Sequence, residues 1–351
     1  MNTPGAPPKP RVGLYDDPVF REHDAGAGHP ERPERLDALR RGLREAALED
    51  RMTHLAVRPA TDDELARVHT ARHIDAVAAT EGRHRQFDPD TAASPRSHAA
   101  ARRAAGAVVD AVDRVLDGSL DRAFCAVRPP GHHATADRAM GFCLFNNVAV
   151  GAAHALARGL GRVAILDFDV HHGNGTQDIF RGEPRVLYVS SHQFPFYPGT
   201  GAIDEIGSGE GRGFTVNLPM PAGLGDGDYL RAYREIVAPI VLAFDPEIVM
   251  VSAGFDAFGG DPLAGMELTV PGFGALADVC VGLSGGASRG RVVAVFEGGY
   301  STEGIAGAAA ALASRLLERP TPPVETAAHA GLDTLVDAWR RTQTPYWPSL
   351  R

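Results

Sequence analysis

Arg162-Val163-Ala164-Ile165-Leu166-Asp167-Phe168-Asp169-Val170-His171-His172-Gly173-Asn174-Gly175 runs from an apolar strand straight into metal-type side chains. Its first half has the composition of a buried strand. Asp167, Asp169 and His171 follow at alternate positions, which the period of two in an extended chain places on one side. Such a cluster calls for a cation, because a buried carboxylate without a partner is costly, and Asp and His donors suit Zn2+ or Fe2+. The bland alternative is a strand end whose acids cap the next helix while the histidines are solvated.

Outward from this stretch, apolar runs alternate with helical patterns. Strands are expected at residues 11–15, 123–127, 163–170, 186–190, 214–218, 248–253 and 292–296. Most of these runs are continuously apolar, the signature of a parallel sheet covered on both faces. Helices fit the residues after Pro33, where Leu36, Leu39 and Leu43 keep a three-to-four spacing, and residues 94–116, 145–158, 226–243, 270–283 and 302–317. Thr61-Asp62-Asp63-Glu64 has capping-box chemistry. The expected fold is therefore α/β, a single domain with a largely parallel β-sheet flanked by helices on both faces. Residues 1–10 read as a disordered Pro-rich leader, 11–318 as the domain, and 319–351 as a C-terminal tail with one helix at 332–341. That tail would dock on the body or on a partner subunit, the latter giving a homo-oligomer.

The 351 residues are enough for a sizeable core, and the formal net charge of -9 argues against nucleic acid held by general electrostatics. Lys9 is the only lysine, so arginine carries nearly all the positive charge. Cys125, Cys143 and Cys280 are few, widely spaced and set in apolar surroundings, as expected for thiols in a reducing compartment. With no signal-peptide profile and no long apolar run, a cytoplasmic protein without a membrane partner is expected.

In open parallel sheets the site lies at the carboxyl ends of the strands. There the sequence places Arg128-Pro129-Pro130-Gly131-His132-His133, the His171–Gly175 segment, Ser190-Ser191-His192, Gly254-Phe255-Asp256 and Glu297-Gly298-Gly299-Tyr300. Each alone reads as an ordinary turn or cap. Jointly, Asp169, His171 and Asp256 supply three protein ligands, the number left in a catalytic site that keeps positions open. His132 and His133 offer acid/base capacity near neutral pH, and Tyr300 a hydroxyl for a developing oxyanion. The combination describes metal-assisted hydrolysis of an amide or ester. Ser190 and Ser191 lack a Gly-x-Ser-x-Gly setting, which weakens a serine-nucleophile reading.

Residues 128–133, 141–147, 167–177, 198–201, 254–256, 260–263 and 297–300 occur in the order found in the histone deacetylase family. That family includes acetylpolyamine amidohydrolases and bacterial acetoin-utilisation proteins. With His29-Pro30-Glu31-Arg32-Pro33-Glu34-Arg35 and Asn174, the chain resembles the class II branch over about residues 11–318. The resemblance implies the arginase/deacetylase fold, and a Zn2+-dependent amidohydrolase that removes acetyl or other acyl groups from lysine side chains with a metal-activated water. Asp169, His171 and Asp256 would bind zinc, with Fe2+ the other metal to consider. His133 would act as base and acid with His132 beside it. Asp167 and Asn174 would orient the two histidines, and Tyr300 would donate to the substrate carbonyl. A structural K+ would sit at Asp167, Asp169 and His171, completed by Ser190 and Ser191. Gly141 and Phe142 would form one wall of an acyl-lysine tunnel and Tyr197 the other. Asp88 or Asp90 would hold the substrate backbone, and Leu263 would stand where polyamine-preferring members carry an acid. The expected partners are an acyl-lysine peptide or protein, or a small acylated amine. The alternatives are a deacylase of acetylpolyamines or other small molecules, and a catalytically silent acyl-lysine-binding module.

Overall fold

A computed structural model describes residues 9–320, 322–324 and 326–351, so most of the expected leader lies outside the described residues. Eight strands form one all-parallel sheet in the order β2-β1-β5-β10-β9-β6-β7-β8. They are β1 (Val12–Tyr15), β2 (Thr53–Leu55), β5 (Arg122–Cys125), β6 (Val163–Asp167), β7 (Val186–Gln193), β8 (Thr215–Met220), β9 (Ile248–Ala253) and β10 (Val292–Phe296). The central strands are buried at every position, which is why their sequences are continuously apolar rather than alternating.

Helices cover both faces. On one side, α4 (Ser97–Leu116) packs with α5 (Asn147–Ala157); on the other, α10 (Thr302–Leu316) packs between α1 (Glu34–Glu45) and α9 (Val270–Gly282). Ala-rich faces on α4 and α10 let these helices approach closely. The tightest crossing is at Gly42 of α1, where an added Cβ would lie 1.9 Å from the Ala306 carbonyl oxygen. The expected helix at 226–243 is α7 (Asp226–Ala232) and α8 (Ala238–Phe244) joined through a π-helical segment, Tyr233–Val237. Pro239 accounts for the widening: it has no N–H to give the carbonyl four residues back.

Three sequence expectations change. The strand expected over 163–170 ends at Asp167, so Asp169 and His171 sit in the loop beyond it rather than on a strand face. Carboxylates replace the ladder there: Asp167 accepts from the Asp169 N–H, Asp169 from the His171 N–H, and Asp256 from the Val170 N–H. Residues 81–96, where no strand was expected, hold a small antiparallel hairpin, β3 (Arg85–Gln86) with β4 (Ala92–Ala93). The edge strand β2 was not expected at all, since Thr53-His54-Leu55 is short and largely exposed.

The tail helix α11 (Leu332–Gln343) lies against β8 and the π segment, and Trp347 donates from Nε1 to the Gly213 carbonyl at 2.8 Å. The tail thus docks on the body. The three cysteines are free and buried, and no helix among the described residues is long and apolar enough to cross a membrane.

Gly42→Ala should force α1 off α10 and destabilise the protein by about 1–3 kcal/mol, the scale of core overpacking. The measurement is the thermal unfolding midpoint, which should fall by several degrees with helix content unchanged; an unaltered midpoint would mean the helices do not cross at this residue.

Candidate metal centre and active site

The carboxyl ends of the four central strands β5, β10, β9 and β6 are followed by the His pair, Tyr300, Asp256 and the Asp169–His171 loop, in that spatial order. Asp169, His171 and Asp256 are buried, and one donor atom from each lies within 4.8 Å of the others. His171 Nδ1 is 3.2 Å from Asp169 Oδ1 and 3.1 Å from Asp256 Oδ2. Burial and the neighbouring Asp169 push Asp256 up to about 7. Burial opposes charge on His171, but its hydrogen bonds to Asp169 and Asp256 outweigh that and raise it to about 10. Crowded carboxylates holding a proton between them are what a divalent cation displaces, so the donor set fits a metal.

The two histidines after β5 are held differently, and the difference assigns their chemistry. His132 Nδ1 is 3.1 Å from Asp167 Oδ2, an oxygen that Tyr188 also approaches at 3.0 Å. Burial disfavours its charge, yet Asp169 and Asp167 prevail and hold it up at about 10. His133 Nδ1 instead lies 2.8 Å from Asn174 Oδ1, an acceptor with no charge. Burial and the nearby His132 and His171 keep His133 neutral, well below the usual histidine range. Because Asn174 Oδ1 accepts, Nδ1 carries the proton and Nε2 is left as the base. The two rings are 4.1 Å apart, and His133 is 6.0 Å from the His171 ring.

Three supporting groups lie in motifs quoted from the sequence but had been given no role there. Glu297 is fully buried and accepts from two successive backbone N–H groups, Gly131 at 2.6 Å and His132 at 3.2 Å, so the end of β10 clamps the histidine loop. Burial pushes this carboxyl up to about 7. Arg35, on α1, donates to the carbonyls of Glu297 and Gly299 and lies 4.9 Å over the Tyr300 ring, while Glu31 pairs with both Arg35 and Arg128. Asp261 accepts from the N–H groups of Tyr300 at 2.6 Å and Ser301 at 3.0 Å. The Glu297–Tyr300, His29–Arg35 and Gly260–Leu263 segments had been noted for the family resemblance, but a Glu, Arg or Asp next to a turn is too common for the sequence to announce these contacts.

Tyr300 is driven well above the usual phenol range by burial, so its hydroxyl keeps its proton. Its ring meets Phe142 edge-on at 5.8 Å. Phe142 and Gly141 both have positive φ, +68° and +56°, and a Cβ on residue 141 would lie 2.4 Å from the His133 ring. Only glycine fits there. Tyr197, partly exposed, stands edge-on to His133 at 5.1 Å, and its neighbour Phe196 stacks on His171 at 5.3 Å. Phe196 is the aromatic the sequence reading passed over. Leu263 lies in the Asp261 turn and donates its N–H to that carboxylate. Asp90 sits in the β3–β4 hairpin, its carbonyl 3.1 Å from His29 Nε2, and His29 in turn packs on Phe142 at 4.6 Å. Burial and Asp88 raise the Asp90 carboxyl. Ser190 Oγ pairs with His192 Nδ1 at 2.9 Å, and Ser191 Oγ lies 3.1 Å from the Tyr233 hydroxyl and 3.5 Å from the Asp167 carbonyl.

Fold and site define an α/β protein with a buried Asp-His-Asp group able to hold a metal and a hydrogen-bonded histidine pair at the carboxyl ends of a parallel sheet. The chain belongs to the histone deacetylase family: the histone deacetylase domain matches residues 29–316. It is 43% identical over 332 residues to histone deacetylase 15 of Arabidopsis thaliana, covering 92% of this chain and 59% of that protein. It is 41% identical over 357 residues to the human polyamine deacetylase HDAC10, covering 96% of this chain and 51% of that one. The chain thus spans only about half to three fifths of the length of these relatives. The crystal structure of the HDA15 HD domain matches with a TM-score of 0.92 at 40% identity, over 97% of this chain and 98% of that one.

Asp256→Ala should abolish retention of one divalent metal per chain, whereas His133→Ala should retain it. Elemental analysis after dialysis reads both; an Asp256→Ala protein that still holds stoichiometric metal would remove that residue from the ligand set.

Proposed function

We propose that the chain is a Zn2+-dependent amidohydrolase that removes acetyl or related acyl groups from lysine side chains, with Fe2+ the alternative metal. The observation that carries this reading is the neutral His133, its Nδ1–H given to Asn174 and its Nε2 left free beside the Asp169–His171–Asp256 triad. A metal bound by that triad supplies Lewis-acid polarisation of the acyl carbonyl and acidifies water. His133 then takes a proton at Nε2 from the attacking water and returns it to the departing amine. Asp167 keeps His132 cationic beside it, which favours the developing negative charge. The Tyr300 hydroxyl donates to the carbonyl oxygen as that charge grows.

On the same reading, Gly141 and Phe142 wall one side of the acyl-lysine tunnel and Tyr197 the other, with Asp90 or Asp88 receiving the substrate backbone at the mouth. Potassium belongs with the Asp167 carboxylate and the Asp169 and His171 carbonyls, with Ser190 and Ser191 completing the shell. A silent acyl-lysine-binding module is disfavoured, because such a module needs neither a tautomer-fixed base nor a phenol kept protonated. A small-molecule reading has one observation in its favour: the paired Asp88 and Asp90 carboxyls could receive the cationic end of an acylated polyamine. Leu263, uncharged, weighs for acyl-lysine.

The test is kcat/KM for an acetyl-lysine peptide against N-acetylputrescine with zinc-loaded protein. A faster peptide supports the lysine reading, a faster polyamine the runner-up. Tyr300→Phe should lower kcat about 10²-fold, the scale for losing one oxyanion donor; normal turnover would take Tyr300 out of the mechanism. Asn174→Asp should raise the His133 pKa by placing a carboxylate on Nδ1. His133 works in its neutral form, so activity is present above its pKa and lost below it. The acid limb of the kcat/KM profile should therefore move to higher pH, and an unmoved limb would sever His133 from the proton transfer.

A further inference from the structure

Beside the Phe142 wall lies an open cleft of about 550 Å3 whose lining includes Arg72, Ala76, Arg85, Phe87, Asp137 and Arg138. Its lining is basic, with three arginines against one acid. Many exposed arginines elsewhere are paired, as in Arg11 with Asp121, Arg96 with Glu22, Arg185 with Glu183 and Arg231 with Asp333. Among the described residues, the Arg72 and Arg138 side chains make neither an ion pair nor a hydrogen bond, and Arg85 only reaches the Ala76 carbonyl while lying 4.7 Å over the Phe87 ring. Asp137, the one acid in the lining, is engaged by the Thr135 hydroxyl. In a chain of net charge -9, three guanidinium groups without carboxylate partners in one cleft leave a field for an anion to fill.

Both walls of the cleft continue to the proposed tunnel mouth. On one wall, Phe87 donates its N–H to the Thr91 carbonyl, closing the hairpin that carries Asp88 and Asp90; the Thr91 hydroxyl oxygen accepts from the Phe142 N–H at 3.0 Å. On the other, Arg138 and Ala139 lead through Met140, which bridges Cys143, into Gly141 and Phe142. A substrate crossing the mouth meets carboxylates at the tunnel and guanidiniums one step to the side.

We propose that this cleft is a specificity subsite for an acidic side chain flanking the modified lysine, so that the substrates are acyl-lysine proteins with Asp or Glu near the acylated residue. This rests on the acyl-lysine reading above. Guanidinium forks suit carboxylates in paired geometry, and a cation in the same place is repelled, which sets the cleft against polyamines and Lys-rich segments.

The experiment compares kcat/KM for three acetyl-lysine peptides identical except for flanking Glu, Gln or Lys, in the zinc-loaded wild type and in the Arg72→Ala/Arg138→Ala double variant. The expected order is Glu over Gln over Lys. The Glu-to-Lys ratio should be about fivefold or more, as a few part-exposed charge pairs give, and should shrink towards one in the double variant and in high salt. Equal rates in the wild type, or a ratio that survives both the double variant and salt, would overturn the subsite. Failure of the wild type to turn over even the Gln peptide would instead overturn the acyl-lysine reading, and the subsite with it.

Discussion

Four carboxylates, Asp167, Asp169, Asp256 and Glu297, sit with no exposure to water at the ends of adjacent strands, and the surrounding structure is what makes that tolerable. Left alone, such groups would take up protons or unfold the site. Each is compensated by a different device. Asp167 has His132 and the Tyr188 hydroxyl, Asp169 the N–H groups of His171 and Gly298, Asp256 the Val170 N–H, and Glu297 the N–H groups of Gly131 and His132. The glycines follow from this packing: a Cβ on residue 298 would lie 2.1 Å from Asp256 Oδ2 and 2.5 Å from Asp169 Oδ2. Side-chain oxygen has taken the space where a side chain would otherwise go.

The same arrangement explains why the strands stop where they do. A parallel sheet needs each backbone N–H to find a carbonyl on its neighbour. Beyond Asp167 the N–H groups of residues 169, 170 and 171 turn to carboxylates instead, which ends β6 and frees the loop to curve over the site. The gathering of Asp169, His171 and Asp256 and the termination of β6 are thus one event. The cost of removing one of these carboxylates extends to the backbone it caps, because the N–H left behind is buried without an acceptor.

Much of this was legible in the sequence because it depends on local order. Continuous apolar runs marked the central strands, and β9 and β10 end where the runs end. The grouping of Asp169, His171 and Asp256, and the pairing of His132 with Asp167 and His133 with Asn174, came from motifs that follow one another in the order found in the histone deacetylase family. What stayed hidden depends on neighbours far apart in sequence. Glu297 reaches Gly131 from the end of β10 to the loop after the neighbouring β5, and Arg35 reaches Gly299 from the first helix; nothing in the residues around Glu297 or Arg35 announces those contacts. The strand over 163–170 was read too long for the same reason, since alternation cannot reveal that the ladder has been replaced by side chains. The cleft at Arg72, Arg85 and Arg138 gathers three arginines from separate segments, and its meaning lies in missing partners, which no linear pattern records.

The buried Glu31–Arg35–Arg128 cluster shows how the scaffold divides stability from precision. Replacing such ion groups with well-packed hydrophobes is often neutral or stabilising, so they are weak evidence of a contribution to folding energy. Their donors, however, are spent on backbone carbonyls: Arg35 on Glu297 and Gly299, Arg128 on Phe20 and His23. An apolar side chain could fill the same volume but could not fix those carbonyls. The turn carrying Tyr300 is therefore gripped from below by Arg35 and from the side by Asp261. On the proposed mechanism, a phenol that donates to one oxygen of a bound substrate, within a few tenths of an ångström, needs its backbone held by directional bonds rather than by packing alone. Charge is buried here because direction, more than adhesion, is what the site requires of its frame.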